Sequence, residues 1–257
     1  MLTLLTDFGT RDVYVGVMKG AIAQINPKLT VVDLTHEVPP QDVAVARFCL
    51  MDAYLYFPIG TVHLAVVDPG VGSTRRAIAV EFARGYLVGP DNGIFSGVLS
   101  ENPALAAVEL TNPKYWRTPQ PSSTFHGRDI FAPVAAYLSS GVSLKQLGVS
   151  IDVTSLVQLE IAECTTTETG IVGNVQYIDR FGNLVTNIPG CDVLGKSWSV
   201  EVAGVTIPYC GTYSDVKIGE AIALIGSHGW VEVAVNNGSA RSQLQMELGD
   251  RVVIYFE

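Results

Sequence analysis

The N-terminal half of the chain alternates between short apolar runs and stretches in which apolar residues recur at helical spacing. The runs at 2–6, 29–35 and 61–68 are almost continuously apolar, as in strands that are buried on both faces. Between them, two stretches that begin at Tyr14 and Val43 repeat apolar residues every three or four positions, which predicts helices. This succession of strands and helices predicts a mainly parallel sheet covered by helices.

Two more strands and one helix complete the predicted α/β domain. The segment "AIAVEF" (77–82) alternates in the manner of a strand, and "YLVGPDNGIF" (86–95) predicts another strand that ends in a turn. The segment "HGRDIFAPVAAYL" (126–138) predicts a further helix.

The pattern changes near Thr154. The segment "ECTTTETG" (163–170) has three consecutive threonines and little core-forming material, so we interpret it as a linker or an edge segment. After it the helical spacing disappears, and short strands with close Gly, Asn and Asp turns predict an antiparallel barrel or sandwich of about ninety residues. We therefore expect an α/β domain over 1–156 and a small antiparallel β-barrel domain over 165–257.

Composition narrows the possible partners. Of 257 residues 48% are hydrophobic and 16% charged, and the formal net charge is −9. Without a basic stripe the chain is not expected to bind nucleic acid or an anionic membrane. No apolar run approaches the ~20 residues of a membrane span, and no secretion signal is visible. The four cysteines lack a C-x-x-C pair, which favours reduced thiols and a cytoplasmic protein.

The segment "AVVDPGVGSTRR" (65–76) suggests either a phosphate-binding loop or a catalytic carboxylate–guanidinium pair. A dinucleotide-binding loop needs a third glycine and must open a helix. Here a predicted strand follows the loop at once, which weighs against phosphate binding. Asp68 at the carboxyl end of one strand, with Arg75 and Arg76 before the next, remains as candidate chemistry.

Polar residues also follow the other predicted strands. They are Asp7, His36–Glu37, Asp68 and Asp91–Asn92. Any one of them could be a helix cap or a turn residue, but ligands of open parallel sheets bind beyond the carboxyl ends of the strands. His126 in "TFHGRD" adds an imidazole able to exchange a proton near neutral pH.

Two other histidines are interpreted as structural. His63 lies inside a predicted strand, so we expect a core or edge role, and His228 in "GSHGW" is expected in a turn. In the second domain "YIDRFGNLVTNI" predicts a hairpin that turns at 181–183, where Asp179 is either a turn residue or a ligand for an ammonium group.

From the residues alone, two enzyme classes stay open. A metal-dependent phosphoesterase would use strand-end carboxylates and imidazoles to hold two cations. A metal-free displacement would use Asp68, Arg75 and His126 to handle a water molecule. The second is favoured, because only two histidines lie on the presumed rim and no H-x-H or H-E-x-x-H pattern occurs.

Six segments resemble one family. They are "TDFG", "DLTHEVPPQDV", "VVDPGVGSTRR", "GPDNGIF", "TFHGRDIFAP" and "IDRFGNLVTNI". Together they resemble the S-adenosyl-L-methionine (SAM) hydroxide adenosyltransferases, a family that also includes the fluorinating and chlorinating enzymes. The resemblance implies that water and SAM give adenosine and L-methionine without a metal or cofactor. It also implies a homotrimer with active sites between subunits.

The resemblance further implies roles for individual residues. It makes Asp68, Arg75 and His126 catalytic. It assigns Asp7 to the ribose hydroxyls, Asp179 with Ser227 to the methionine end, and Phe181, Asn183 and the backbone of 235–237 to the adenine. Phe125 is also expected to bind the substrate.

Departures from the halogenating relatives favour water as the nucleophile. Gly127 stands where those enzymes keep a halide-binding serine, and Asp68 stands where they carry a tyrosine. Their inserted loop has no counterpart here. A SAM-dependent halogenase remains an alternative function, as does a module that binds SAM or adenosine without turning it over.

Overall fold

A computed structural model describes residues 1–256, which fall into two compact units, Met1–Leu159 and the residues from Glu160 onward. The first unit contains a seven-stranded sheet. Its strands are β1 (Leu2–Thr6), β2 (Val31–Thr35), β3 (Thr61–Val66), β4 (Ala77–Phe82), β5 (Gly85–Pro90), β6 (Ala104–Glu109) and β7 (Val149–Ile151).

The sheet is mixed. Its order is β2-β1-β3-β5-β4-β6-β7, with parallel pairing from β2 to β5 and antiparallel pairing from β5 to β7. The predicted α/β class with a mainly parallel sheet is confirmed. Pattern reading placed the first five strands, but it did not find β6 and β7, which form the antiparallel edge.

Four helices accompany this sheet. They are α1 (Tyr14–Ile25), α2 (Val43–Ala53), α3 (Ser96–Glu101) and α4 (Ala132–Ser139). Met18 and Ile22 of α1 share one hydrophobic cluster with Leu2 and Leu4 of β1 and with most of α4. All five side chains of β1 are buried, as the continuous apolar run predicted.

The predicted helix at 126–138 is divided in two. Residues Gly127–Phe131 form a π-helical turn, and α4 begins after it. Such turns are rare and occur most often at functional sites. Here the turn directly follows His126.

The second unit is a nearly closed antiparallel barrel with one short helix, α5 (Ala240–Leu244). Its strands are β8 (Thr165–Thr166), β9 (Gly170–Ile178), β10 (Leu184–Pro189), β11 (Trp198–Val202), β12 (Val205–Pro208), β13 (Ala221–Ile225), β14 (Trp230–Val235) and β15 (Arg251–Phe256).

The main path of the barrel is β12-β11-β15-β9-β10-β14-β13, and β8 pairs with β9. A bridge between Tyr209, just after β12, and Ala223 of β13 links the two ends of this path. The predicted hairpin at 181–183 is confirmed, because β9 and β10 pair antiparallel around it.

The interpretation of His63 is confirmed. Its ring is buried and its Nδ1 lies 2.9 Å from Thr3 Oγ1. Burial and the nearby positive charge of Arg84 lower the pKa of His63 to about 4, so the imidazole is neutral at pH 7. It is part of the core packing between β1 and β3.

Among residues 1–256, the structure contains no helix that is both long enough and apolar enough to cross a membrane.

Candidate active site

Asp68 and Arg75 form a bidentate ion pair in the loop between β3 and β4. Arg75 Nε donates to Asp68 Oδ1 at 2.9 Å, and Arg75 Nη2 donates to Oδ2 at 2.5 Å. The Asp68 side chain is only 6% exposed and that of Arg75 11%. Such a pair fixes the orientation of both groups and is stronger than a neutral hydrogen bond.

His126 extends this pair into a chain of three groups. Arg75 Nη2 lies 2.9 Å from His126 Nδ1. A guanidinium can only donate, so His126 Nδ1 accepts and the ring proton of the neutral imidazole resides on Nε2. Burial and the charge of Arg75 lower the pKa of His126, which keeps the ring neutral at pH 7.

The same contacts define what Arg75 can offer a substrate. Its Nε hydrogen and both Nη2 hydrogens are committed to Asp68 and His126. Arg75 can therefore offer a ligand its positive charge and its Nη1 hydrogens, while Asp68 and His126 present further hydrogen-bonding positions.

Gly72 allows the Asp68–Arg75 loop to approach the segment that carries His126. Its φ is +77°, a conformation that favours glycine, and a Cβ there would lie 2.4 Å from the backbone oxygen of Ser123. This close approach holds Arg75 within reach of His126.

We therefore expect Gly72→Ala to lower kcat by roughly 10²-fold, since displacement of the two loops by about an ångström would break the Arg75–His126 contact. Steady-state kinetics would measure it. Gly141→Ala is the matched control, because Gly141 also has a positive φ (+95°) but nothing within 4 Å of its Cβ position. If both variants keep full activity, the close approach at Gly72 does not matter for catalysis.

Asp129, in the π-helical turn, anchors the segment that carries His126. Its fully buried carboxylate accepts hydrogen bonds from Arg117 Nε, Arg128 Nε and Nη2, and Ser122 N. Burial alone would raise the pKa of Asp129, but the hydrogen bonds from Arg128, Arg117 and Ser122 outweigh it and hold the pKa well below its usual range.

A cavity of about 400 Å³ lies against this chain of groups. Its lining includes Asp7, Asp68, Phe125 and His126, as well as Gln41. This volume lies in the range of small-ligand sites. The backbone N–H of Gln41 donates to Asp7 Oδ2 at 2.8 Å, and Gln41 has a φ of +69°, which is uncommon for a residue with a side chain.

Only two of the four strand-end groups come together at this cavity, Asp7 and Asp68. The interpretation of a single rim of polar ligands is wrong for the other two. His36 is buried, with Nδ1 2.9 Å from Thr6 Oγ1 and Nε2 3.1 Å from Asp33 Oδ1.

Asp91 and Asn92 also have structural roles. Asp91 forms an ion pair with Arg76, and its other oxygen accepts from Val157 N. Asn92 Nδ2 donates to the backbone oxygen of Val67. These bonds secure the end of β5.

In the second unit, Asp179 shapes the hairpin turn. Its Oδ1 accepts from the backbone N–H groups of Phe181 and Asn183, and its Oδ2 accepts from Asn183 Nδ2. The Phe181 side chain is left 76% exposed, and Ser227 is exposed in a separate turn. Asp179 is thus a turn-forming residue by its contacts, whatever else it binds.

His228 lies in a turn, as expected, and also contacts the buried Glu232. Its Nε2 lies 3.1 Å from Glu232 Oε2, and Tyr213 Oη donates to Glu232 Oε1 at 2.8 Å. Burial and the hydrogen bond to Glu232 raise the pKa of Tyr213 to about 12. Sequence patterns did not indicate the contact between Tyr213 and Glu232, because it joins two separate segments of the chain.

Within residues 1–256, no group of three or more His, Cys, Asp or Glu side chains is placed to hold a metal ion.

Several residues that line the cavity were not among the predicted site residues, and three of them have large side chains. Phe8, Tyr14 and Gln41 all face it. Tyr14 begins the apolar spacing that predicts α1, but it is 47% exposed as the first residue of that helix. Its position one helical turn before the buried Met18, soon after the strand-end Asp7, is the sequence feature that could have indicated a place beside the cavity.

Comparison with known proteins gives a consistent result over both units. Residues 2–148 match the model of the SAM hydroxide adenosyltransferase N-terminal domain, and residues 173–253 match that of its C-terminal domain. The chain is 43% identical over 255 residues to a protein named (R)-S-adenosyl-L-methionine hydrolase from Thermus thermophilus, covering 95% of each chain. A Salinispora tropica protein of that name is 40% identical over 98% of this chain and 96% of its own.

More distant relatives carry a different name. A Nocardia brasiliensis protein named fluorinase is 28% identical over 99% of this chain and 96% of its own. Among solved structures, an uncharacterized conserved protein from Thermotoga maritima superimposes with a TM-score of 0.94 at 37% identity, covering 99% of this chain and all of that one.

Proposed function

The chain belongs to the SAM hydroxide adenosyltransferase family, and from this membership we propose that it is an enzyme that hydrolyses SAM to adenosine and L-methionine. The observation that carries the proposal is the Asp68–Arg75–His126 chain beside a cavity of ligand size, in a protein similar over its full length to named SAM hydrolases.

The reaction is a displacement at C5′ of the substrate. The sulfonium is already a good leaving group, so the difficulty lies in the nucleophile, since water has a pKa near ~15.7. As the C5′–O bond forms, the C5′–S bond breaks, its electron pair goes to sulfur, and water loses a proton. Attack by a hydroxide-like oxygen on a cation removes charge, which an enclosed pocket favours.

The three catalytic groups divide this task. Asp68 accepts a hydrogen bond from the attacking water and takes up its proton, because it is the carboxylate of the triad that lines the cavity. Arg75 stabilises the developing hydroxide through its charge. His126 presents its Nε2–H as a donor, since its Nδ1 is occupied by Arg75.

The remaining site residues are part of the proposal. Asp7 binds the ribose hydroxyls and Phe125 lines the substrate pocket; both line the cavity in the first unit. In the second unit, Phe181 and Asn183 border the adenine, while Asp179 and Ser227 bind the methionine end. We further propose a homotrimer in which the two sets of residues come from neighbouring subunits. The exposed Phe181 and Ser227 side chains support this arrangement.

We expect SAM in ¹⁸O-water to give adenosine with the label in its 5′-hydroxyl, measured by mass spectrometry, with the same yield after exhaustive chelation of metals. We also expect consumption of the R sulfonium epimer from an epimeric mixture, as the names of the relatives suggest. Binding without adenosine release would instead indicate a sensing module, and loss of activity on chelation would indicate a metal enzyme.

Millimolar fluoride or chloride should leave this product unchanged. An anion about 4 Å from a carboxylate is repelled by roughly 4 kcal/mol at an effective dielectric of 20. Arg75 offsets part of that repulsion at Asp68, but Gly127 offers no hydroxyl to hold a halide. A Cβ at Gly127 would already lie 3.3 Å from both Met18 Sδ and Phe125 Cε2, so the pocket is packed around the glycine. Efficient formation of 5′-halo-5′-deoxyadenosine would contradict hydrolysis as the main activity.

The interfacial site predicts rescue between two inactive chains. One chain carries Asp68→Asn, and the other carries Phe181→Ala together with Ser227→Ala. The side chains of Phe181 and Ser227 are exposed. After subunit exchange at equal amounts, about a quarter of the sites in a cyclic trimer would combine two unaltered halves, so activity should return. The measurement is adenosine release per subunit before and after exchange.

A second pair provides the control for this experiment. Chains with Asp68→Asn and Arg75→Ala are altered in the same unit, so no mixture of them can form an unaltered half-site of that unit, and no rescue is expected. Rescue absent from both pairs would place each site within a single chain.

A further inference from the structure

Three aromatic side chains form a cluster on the wall of the cavity. Phe8, Tyr14 and Phe125 contact one another edge to face, with ring centroids 5.8 Å (Phe8–Tyr14), 5.7 Å (Phe8–Phe125) and 5.3 Å (Tyr14–Phe125) apart. They come from the loop after β1, the start of α1 and the segment before His126, and all three line the cavity.

The rest of the cavity wall favours a cation. Its charged lining residues among the described part of the chain are the carboxylates of Asp7 and Asp68, and neither Lys nor Arg lines it. Arg75 neutralises most of the charge of Asp68, so the negative charge of the wall comes mainly from Asp7, which accepts from the backbone N–H of Gln41. His126 is neutral at pH 7, because burial and Arg75 lower its pKa. Aromatic ring faces are themselves negative, so carboxylates and rings attract the same kind of group.

Phe125 already binds a cation on one face. The guanidinium carbon of Arg128 lies 5.0 Å from its ring centroid, and Arg128 is held there by Asp129. This contact fixes the ring from the side of the π-helical turn. Tyr14, by contrast, is 47% exposed and lines the cavity, so part of its side chain is available to a ligand.

We infer that the Phe8–Tyr14–Phe125 cluster binds the positively charged sulfonium of the substrate and its S-methyl group. The inference rests on the proposed function, which supplies a permanent cation. A cation within about 6 Å of an aromatic centroid is attracted by the ring, and more strongly where water is excluded. The cluster therefore binds a ligand with a sulfonium more tightly than a similar ligand whose sulfur is a neutral thioether.

This role has a kinetic consequence. The positive charge on sulfur disappears as the C5′–S bond breaks, so the rings stabilise bound substrate more than the transition state. Their removal should raise KM while kcat stays constant or rises. The neutral methionine product also loses this attraction, which favours its release.

The test compares equilibrium binding of SAM with binding of S-adenosyl-L-homocysteine, which lacks the methyl group and the charge. Both are titrated into the full chain carrying Asp68→Asn, so that SAM survives the measurement. In that background, Tyr14→Leu and Phe8→Leu should each weaken SAM binding by about 2- to 30-fold. The same substitutions should weaken binding of S-adenosyl-L-homocysteine less. Tyr14→Phe is the control and should keep the preference, because it keeps the ring.

Equal weakening of both ligands in the leucine variants would overturn the inference, since it would make the cluster an apolar or adenine-stacking surface. Loss of the preference in Tyr14→Phe would also overturn it, because the hydroxyl would then carry the effect. Tyr14 is half exposed, so Tyr14→Leu decides the matter even if Phe8→Leu does not fold. Adenosine release by the unaltered chain is measured separately, and its absence would contradict the proposed function instead.

Discussion

Asp68→Asn should lower kcat for adenosine release by about 10²- to 10⁴-fold and leave KM for SAM nearly unchanged. Asparagine keeps the size of the side chain but cannot take up the proton that water loses as it attacks C5′. The interaction that is lost therefore strengthens mainly in the transition state. Initial rates of adenosine formation over a range of SAM concentrations would measure both constants.

Asp91→Asn is a matched control for this substitution. Asp91 also follows a strand of the same sheet and pairs with an arginine through Nε and Nη2, but it does not line the cavity. We expect a lower unfolding midpoint for this variant and an unchanged kcat per folded molecule. Equal kcat values for Asp68→Asn and the unaltered chain would remove Asp68 from the catalytic step.

Arg75→Ala should also lower kcat strongly, by about 10²- to 10³-fold, the loss seen when one oxyanion-stabilising donor is removed. It should in addition destabilise the fold by about 3 to 5 kcal/mol, because it leaves the buried Asp68 carboxylate without its partner. Kinetics at a temperature well below the unfolding midpoint, together with thermal unfolding, would separate the two effects.

The pH profile gives this variant a distinctive signature. The charge of Arg75 is one cause of the lowered pKa of His126, so its removal raises that pKa. His126 then becomes protonated at a higher pH, and the acid limb of the kcat/KM profile should move toward neutral pH.

Arg75→Lys is the control, because it keeps a positive charge without the bidentate geometry. Its acid limb should stay closer to that of the unaltered chain, even if kcat falls. An acid limb that does not move in Arg75→Ala would show that the protonation of His126 does not limit the reaction.

Apolar periodicity was enough to predict the class of both units. Near-continuous runs such as that of β1 indicate a strand covered on both faces, and this holds in any fold that buries it. The two strands of the antiparallel edge, β6 and β7, were not predicted, because short apolar runs with partly exposed residues resemble loops. The π-helical turn at 127–131 could not be predicted either, since its apolar residues repeat as they would in an α-helix.

The residues of the candidate active site could be predicted only in part from the sequence. The strand-end position of Asp68 and the nearby Arg75 suggested the pair, and the imidazole of "TFHGRD" suggested His126. Sequence could not separate the cavity-lining Asp7 from Asp91, because both follow a buried strand and differ only in what folds against them. Asp91 accepts hydrogen bonds from Arg76 and from the backbone N–H of Val157. Asp7, by contrast, accepts one from the backbone N–H of Gln41 and lines the cavity.

The sequence by itself determined the order of the first five strands and of α1 and α2, the two fold classes and the residue types available for catalysis, because these depend on spacing along the chain. The tertiary structure decided which of those residues meet. It brings Gly72 against Ser123, directs Arg75 to both Asp68 and His126, and gathers Phe8, Tyr14 and Phe125 from three separate segments. Contacts of this kind depend on close packing between distant segments, and periodicity along a chain does not encode them.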